Sequence, residues 1–167
     1  KMTFGEINEA SRNFAAFLQN QTSLKPGDRI AIQMPNILQN PIAIFGSLRA
    51  GLIVVNTNPL YTKNEMLHQF TDADVKAVVI LSNFCDKLEA ILPQTSIKTI
   101  ITTNIGDMLP PFKKTIVNFV VKNIRKMVPK YHLPSAVKFN DALAEGKNYP
   151  WEKPGLRGED TAFLQYT

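Results

Sequence analysis

The chain has 167 residues, 44% of them apolar and 20% charged, with a formal net charge of +5. That is the length of one ordinary domain, able to bury roughly 70% of its unfolded surface, and the composition of a soluble globular protein. A single cysteine, Cys85, excludes an internal disulfide and a cysteine-based metal cluster, and no apolar run approaches the roughly 18 residues of a transmembrane helix.

Thr3 and Glu6 have the spacing of a capping box, with Met2 and Ile7 as its hydrophobic staple. Ile7, Ala10, Phe14, Phe17 and Leu18 then follow at helical spacing, so one face of a first helix is buried. Pro26-Gly27-Asp28 is a turn, and Arg29 to Met34 reads as a strand. Asn36 is placed to cap a second helix reaching Ala50. Pro41 makes that helix bend, or makes Asn40 the cap with Pro41 at the first helical position. Gly51 closes it, and Leu52 to Val55 is a compact apolar strand of the kind covered on both faces. A loop, Asn56 to Tyr61, leads to a second capping box at Thr62 and Glu65, whose helix carries Met66, Leu67 and Phe70. Val75 to Leu81 is a third strand. Asn83 is read as the cap of a helix bearing Phe84, Leu88 and Ile91, and Ile97 to Ile101 is a fourth strand. This alternation predicts an α/β fold, a mostly parallel sheet with helices on both faces.

The pattern changes after Thr103. Between Met108 and Asn140 stand seven Lys or Arg residues and no acid. Thr115 to Val128 reads as an amphipathic helix with Val117, Val120, Val121, Ile124 and Val128 on one face, stopped by Pro129. Lys122, Arg125 and Lys126 lie towards the other face. One reading packs this helix on the sheet with its charges in water. The other brings the charges against an anionic membrane surface, which Phe119 near the polar side favours. A short helix, about Phe139 to Ala144, leads to Gly146. An extended connection over 146–158 follows, and then a short buried strand, Ala162 to Leu164. That strand turns polar at Gln165-Tyr166-Thr167, and the polar end of a strand is where α/β proteins carry ligand loops. The whole of 1–167 reads as one incomplete domain with a basic amphipathic insert at 106–135.

The residues by themselves assemble no catalytic constellation and no metal site. His68 and His132 each lack a second ligand at a metal-binding spacing, and Cys85, close to Asp86, is a structural thiol. No glycine-rich phosphate loop occurs within the chain. No interleaving of aromatic and basic residues suggests a nucleic-acid platform.

Three separated stretches, Met2-to-Asn8 (MTFGEIN), Leu48-to-Thr62 (LRAGLIVVNTNPLYT) and Ala162-to-Thr167 (AFLQYT), resemble the adenylate-forming (AMP-binding) enzymes. The last is similar to the start of that family's signature loop, Y-T-[SG]-G-T-T-G-x-x-K-G. The basic run NFVVKNIRKMVPKYHLP at 118–134 resembles the bacterial long-chain fatty-acid–CoA ligases in particular. The resemblance spans essentially the whole chain. It implies an internal piece of the large N-terminal domain of an acyl-CoA synthetase-like fold. The parent enzyme it implies uses ATP and Mg²⁺ to convert a long-chain fatty acid to an acyl-adenylate, and coenzyme A then takes the acyl group. Only Tyr166 and Thr167 match the phosphate loop, so they are the expected nucleotide-binding residues. The Mg²⁺-binding Glu, the ribose-binding Asp and the catalytic Lys fall downstream, and the isolated piece is expected not to turn over. A cytoplasmic enzyme is expected, and the charge segregation around Thr115 to Lys130 separately suggests a peripheral contact with the inner face of the cytoplasmic membrane through Lys122, Arg125 and Lys126. A homodimer is in view through the family's dimer contacts, and no nucleic-acid partner is expected. Two alternatives stay open: another acyl or aryl acid adenylating enzyme, and a non-catalytic α/β module that binds membranes or acidic partners.

Overall fold

The computed structural model describes residues 1–166. Six strands form one sheet: β1 (Arg29–Gln33), β2 (Ile53–Asn56), β3 (Val75–Leu81), β4 (Thr99–Thr103), β5 (Val137–Lys138) and β6 (Phe163–Gln165). Their order across the sheet is β5-β4-β3-β1-β2-β6, and every neighbouring pair is parallel. The helices are α1 (Phe4–Gln21), α2 (Gln39–Arg49), α3 (Lys63–Asp72), α4 (Cys85–Ile91), α5 (Pro111–Phe119) and α6 (Phe139–Gly146).

Successive strand residues point to opposite faces, and the two faces carry separate cores. On one, Ile30, Ile32, Val54, Val79 and Ile101 meet α1, α2 and α6 through Phe14, Leu18, Ile42 and Phe139. On the other, Ala31, Val55, Val78, Ile80 and Ile100 meet α3 and α4 through Met66, Phe70, Leu88 and Ile91. Both predicted capping boxes form, Thr3 with Glu6 and Thr62 with Glu65. In each, the carboxylate accepts hydrogen bonds from the backbone and hydroxyl of its threonine, which hold its pKa below the usual range. Gly51 ends α2 at φ +84°, a left-handed conformation that an L side chain resists.

Several boundaries differ from the sequence reading. α2 starts at Gln39, with Leu38 as N-cap and no side-chain cap. Pro41 is therefore the third helical residue, where its missing N–H has no intrahelical partner to lose. α4 is entered through a 3₁₀ turn at Ser82–Phe84, and Asn83 spends its amide on the Met127 carbonyl at 3.0 Å instead of capping. The basic helix starts earlier, at Pro111, and runs through a π turn at Val120–Ile124. It ends where Lys126 turns left-handed (φ 51°) and the Met127 N–H reaches the Val121 carbonyl at 3.0 Å, ahead of Pro129. It contains no buried residue, so it is not a helix packed into the sheet. Its tether is polar: Asn118 accepts from the Gly106 N–H at 2.9 Å and donates to Asp107 at 3.0 Å. The final strand is not buried either. β6 is an edge strand beside β2, and Phe163 is 42% exposed.

The stretch before β6 is fastened by Trp151. Its indole N–H donates to the Arg49 carbonyl at 2.9 Å, and the guanidinium groups of Arg12 and Arg49 lie 5.6 and 5.5 Å from the ring centroid. Among the described residues, no helix is long and apolar enough to cross a membrane.

Candidate functional site

In an open parallel sheet, ligands collect beyond the carboxyl ends of the strands, near the point where the strand order reverses. Here β1 leads outward to β2, and the chain then returns across β1 to place β3 on its other side. A cavity of about 430 Å³ opens at this margin, on the β1–β2–β6 side of the reversal. Its wall is Ile32 and Met34 from β1 and its end, Asn36, Asn40 and Ile44 from the crossover into α2, Asn56 to Asn58 and Tyr61 after β2, and Gln165 and Tyr166 from β6.

The wall is held by its own hydrogen bonds. Asn56 donates to Gln165 Oε1 at 3.0 Å, tying the β6 edge to β2. The Asn56 carbonyl accepts from Gln69 Nε2 at 3.0 Å, which fixes the strand end to α3. Asn58 accepts from the Leu60 N–H at 2.9 Å, an Asx turn that bends the chain before Pro59 and Leu60 clear the cavity. Lys87 of α4 donates to the Tyr61 carbonyl at 2.6 Å from outside the wall. No lining residue is an acid, a lysine, an arginine or a histidine. Such a set of amides, a threonine and two tyrosines recognises neutral hydrogen-bonding edges and does not by itself neutralise phosphate charge. Among the described residues, no group of three His, Cys, Asp or Glu stands together to hold a metal ion.

Tyr166 lines this cavity, at the sheet margin where the sequence placed it. Its hydroxyl, however, donates to Asp72 of α3 at 2.5 Å, and burial together with that carboxylate pushes its pKa up to about 12. The ring is thus a positioned wall element, and its proton is not available near neutral pH. Thr167 lies outside the described residues. Sequence reading missed Asn36, Asn40, Asn56, Thr57 and Asn58 as site residues. The signal was present: the amide-rich stretches 33–40 and 56–58 each begin on the last residue of a strand. His68 and His132 are exposed and do not line the cavity. The Cys85 thiol is buried, and burial pushes its pKa up to about 12.

The family model of the AMP-binding enzymes, described as "AMP-binding enzyme", matches residues 1–167. The chain belongs to the AMP-binding enzyme family. Among relatives of this family, a long-chain-fatty-acid–CoA ligase of Salmonella typhimurium is 53% identical over 99% of this chain. One from Haemophilus influenzae is 52% identical over 99% of it, and one from Bacillus subtilis is 33% identical over 100%. The chain spans about 30% of the length of these relatives. Solved structures of CoA ligases share the fold. A long-chain-fatty-acid–CoA ligase of Archaeoglobus fulgidus superposes with a TM-score of 0.73 at 18% identity, covering 99% of this chain and 27% of that one. A benzoate–CoA ligase of Burkholderia xenovorans gives 0.70 at 22% identity, over 97% and 27%.

Proposed function

We propose that this chain is the nucleotide-side sheet of a long-chain fatty-acid–CoA ligase, and that the polar cavity beyond β1, β2 and β6 receives the neutral part of ATP. The observation that carries this reading is the coincidence of two independent facts. Tyr166, the residue matched to the start of the family's phosphate loop, stands in the wall of a cavity at the carboxyl margin of the sheet. When bound, ATP supplies a good leaving group: the carboxylate oxygen bonds to the α-phosphorus, pyrophosphate departs, and the acyl carbon becomes open to attack by the coenzyme A thiol.

The chain's own residues bind and orient. Asn36, Asn40 and Thr57 line the cavity with amide and hydroxyl groups, suited to the edge of a base or a ribose. Asn56 and Gln165 lock β6 to β2, which holds the strand end and Tyr166 at the cavity margin. Asp72 holds Tyr166 against α3. Phosphate charge is met by groups that this cavity wall does not provide. The donor set likewise does not fit Mg²⁺, and no step is assigned to a metal held by these residues. Lys122, Arg125 and Lys126 provide the enzyme's peripheral contact with an anionic bilayer.

The test is ATP-dependent pyrophosphate release by the full-length polypeptide carrying this chain, across long-chain, medium-chain and aromatic acids. Release that is highest with long-chain acids, followed by acyl-CoA on addition of coenzyme A, is the expected result. A preference for aromatic acids would replace the substrate class, and no release with any acid would overturn the ligase reading.

A further inference from the structure

The helix formed by α5 and its π turn has no buried residue. Phe112, Ile116 and Phe119 are spaced four and three apart, so they share one α-helical face, and they are 78%, 46% and 57% exposed. In continued α geometry Ile124, five residues after Phe119, would leave that face and join Val117, Val120 and Val121, the more enclosed side expected from the sequence. The π turn changes this. The Arg125 N–H reaches the Val120 carbonyl at 2.8 Å. Where hydrogen bonds close five residues apart, one turn takes up more residues than in an α-helix, so side chains five apart lie nearer one face. Ile124 thereby turns back toward the Phe119 side, and it is 63% exposed. The outcome is a continuous outward apolar row about 20 Å long.

The same helix and its end carry Lys113, Lys114, Lys122, Arg125 and Lys126. Among the described residues none of them takes part in an ion pair, and no acid occurs between Met108 and Asn140. These two features together select the occupant. A polyanion such as nucleic acid satisfies the cations and leaves the large apolar side chains in water. A second copy covers the row but sets two acid-free basic strips against each other. An anionic phospholipid surface satisfies both, because the row enters the acyl boundary while the long cationic side chains reach back to the headgroups.

We propose that Phe112, Ile116, Phe119 and Ile124 insert into the interfacial layer of an anionic bilayer, with the π turn as the device that completes the row. This rests on the peripheral contact proposed above and deepens it, because the anchor is apolar insertion and the cations set lipid preference.

The experiment sediments the full-length polypeptide with phosphatidylcholine vesicles, with and without phosphatidylglycerol. The expected result is binding to the anionic vesicles that falls about tenfold or more in F112S/I116S/F119S/I124S at both low and high salt. In K122E/R125E/K126E the loss is greatest at low salt. Emission of an F119W protein, measured against the native Trp151 signal, shifts to the blue on anionic vesicles and is quenched by bromine on the acyl chains. The thermal transition checks folding, and exposed positions leave it unchanged. Wild-type binding by the fourfold apolar variant would overturn insertion and leave an electrostatic contact. F119W emission already blue-shifted without lipid, or a dimer that the apolar substitutions dissolve, would show the row covered by protein and overturn it as well. Pyrophosphate release from a soluble acid, assayed on the same preparations, reports on the ligase reading separately. Its absence with vesicle binding intact would sink that reading alone.

Discussion

Tyr166 shows how a residue can be found from sequence while its role is not. The polar end of the last apolar run pointed to it, because a strand that turns polar marks the ligand margin of a sheet. What its type could not convey is that α3 supplies Asp72 at hydrogen-bond distance. Burial first, and then that carboxylate, raise its pKa to about 12. A group whose folded pKa lies above its unfolded value, about 10 for tyrosine, contributes stability that is fully present below the unfolded value and lost as pH rises through the folded one. Alkaline titration of tyrosinate absorbance should therefore show a component near about 12 that Y166F removes. If Y166F instead removed a component near about 10, the phenol would not be held by Asp72. The asparagines of the cavity wall were illegible for a different reason. Asn caps helices, closes turns and binds ligands with the same side chain, so Asn36 and Asn40 read equally well as caps and Asn58 as a turn residue.

The elements were largely legible, because the period of the apolar residues switches between two and about 3.6 along the chain. β5, two residues long, gave no such signal, and β6 was read as buried because an apolar run does not say whether its strand is central or at an edge. The basic helix was misplaced because period alone cannot foresee a π turn. Gly146 carries more than the end of α6. A Cβ there would stand 1.9 Å from the Asn13 carbonyl oxygen of α1, in backbone contact that no rotamer change relieves. α6 therefore lies against α1 at glycine distance, with Phe14 and Phe139 packed 5.0 Å apart at the same junction. G146A should force the helices apart and cost about 2 kcal/mol or more, seen as a lower urea midpoint. An unchanged midpoint would mean that α6 is not seated on α1 as described.

At the scale of the molecule, sequence alternation predicted a parallel sheet with helices on both faces, but not its strand order. Order is decided by which edges remain free after each crossover, and it alone brings the ends of β1, β2 and β6 together. The polar cavity exists because β6, separated from β2 by more than a hundred residues, returns to pair with it. The opposite margin is built differently. There Asp74 bridges Arg29 and Lys76, an arrangement that ties strand starts together. The two ends of the sheet should thus respond differently to nucleotide. Amide hydrogen exchange of the full-length polypeptide, with and without ATP, tests this most directly. The account predicts slowed exchange at 33–40, 56–61 and 165–166, with residues 27–29 and 74–76 unchanged. Protection confined to the Arg29–Asp74 margin, or absent from all three cavity segments while ATP is bound, would contradict it.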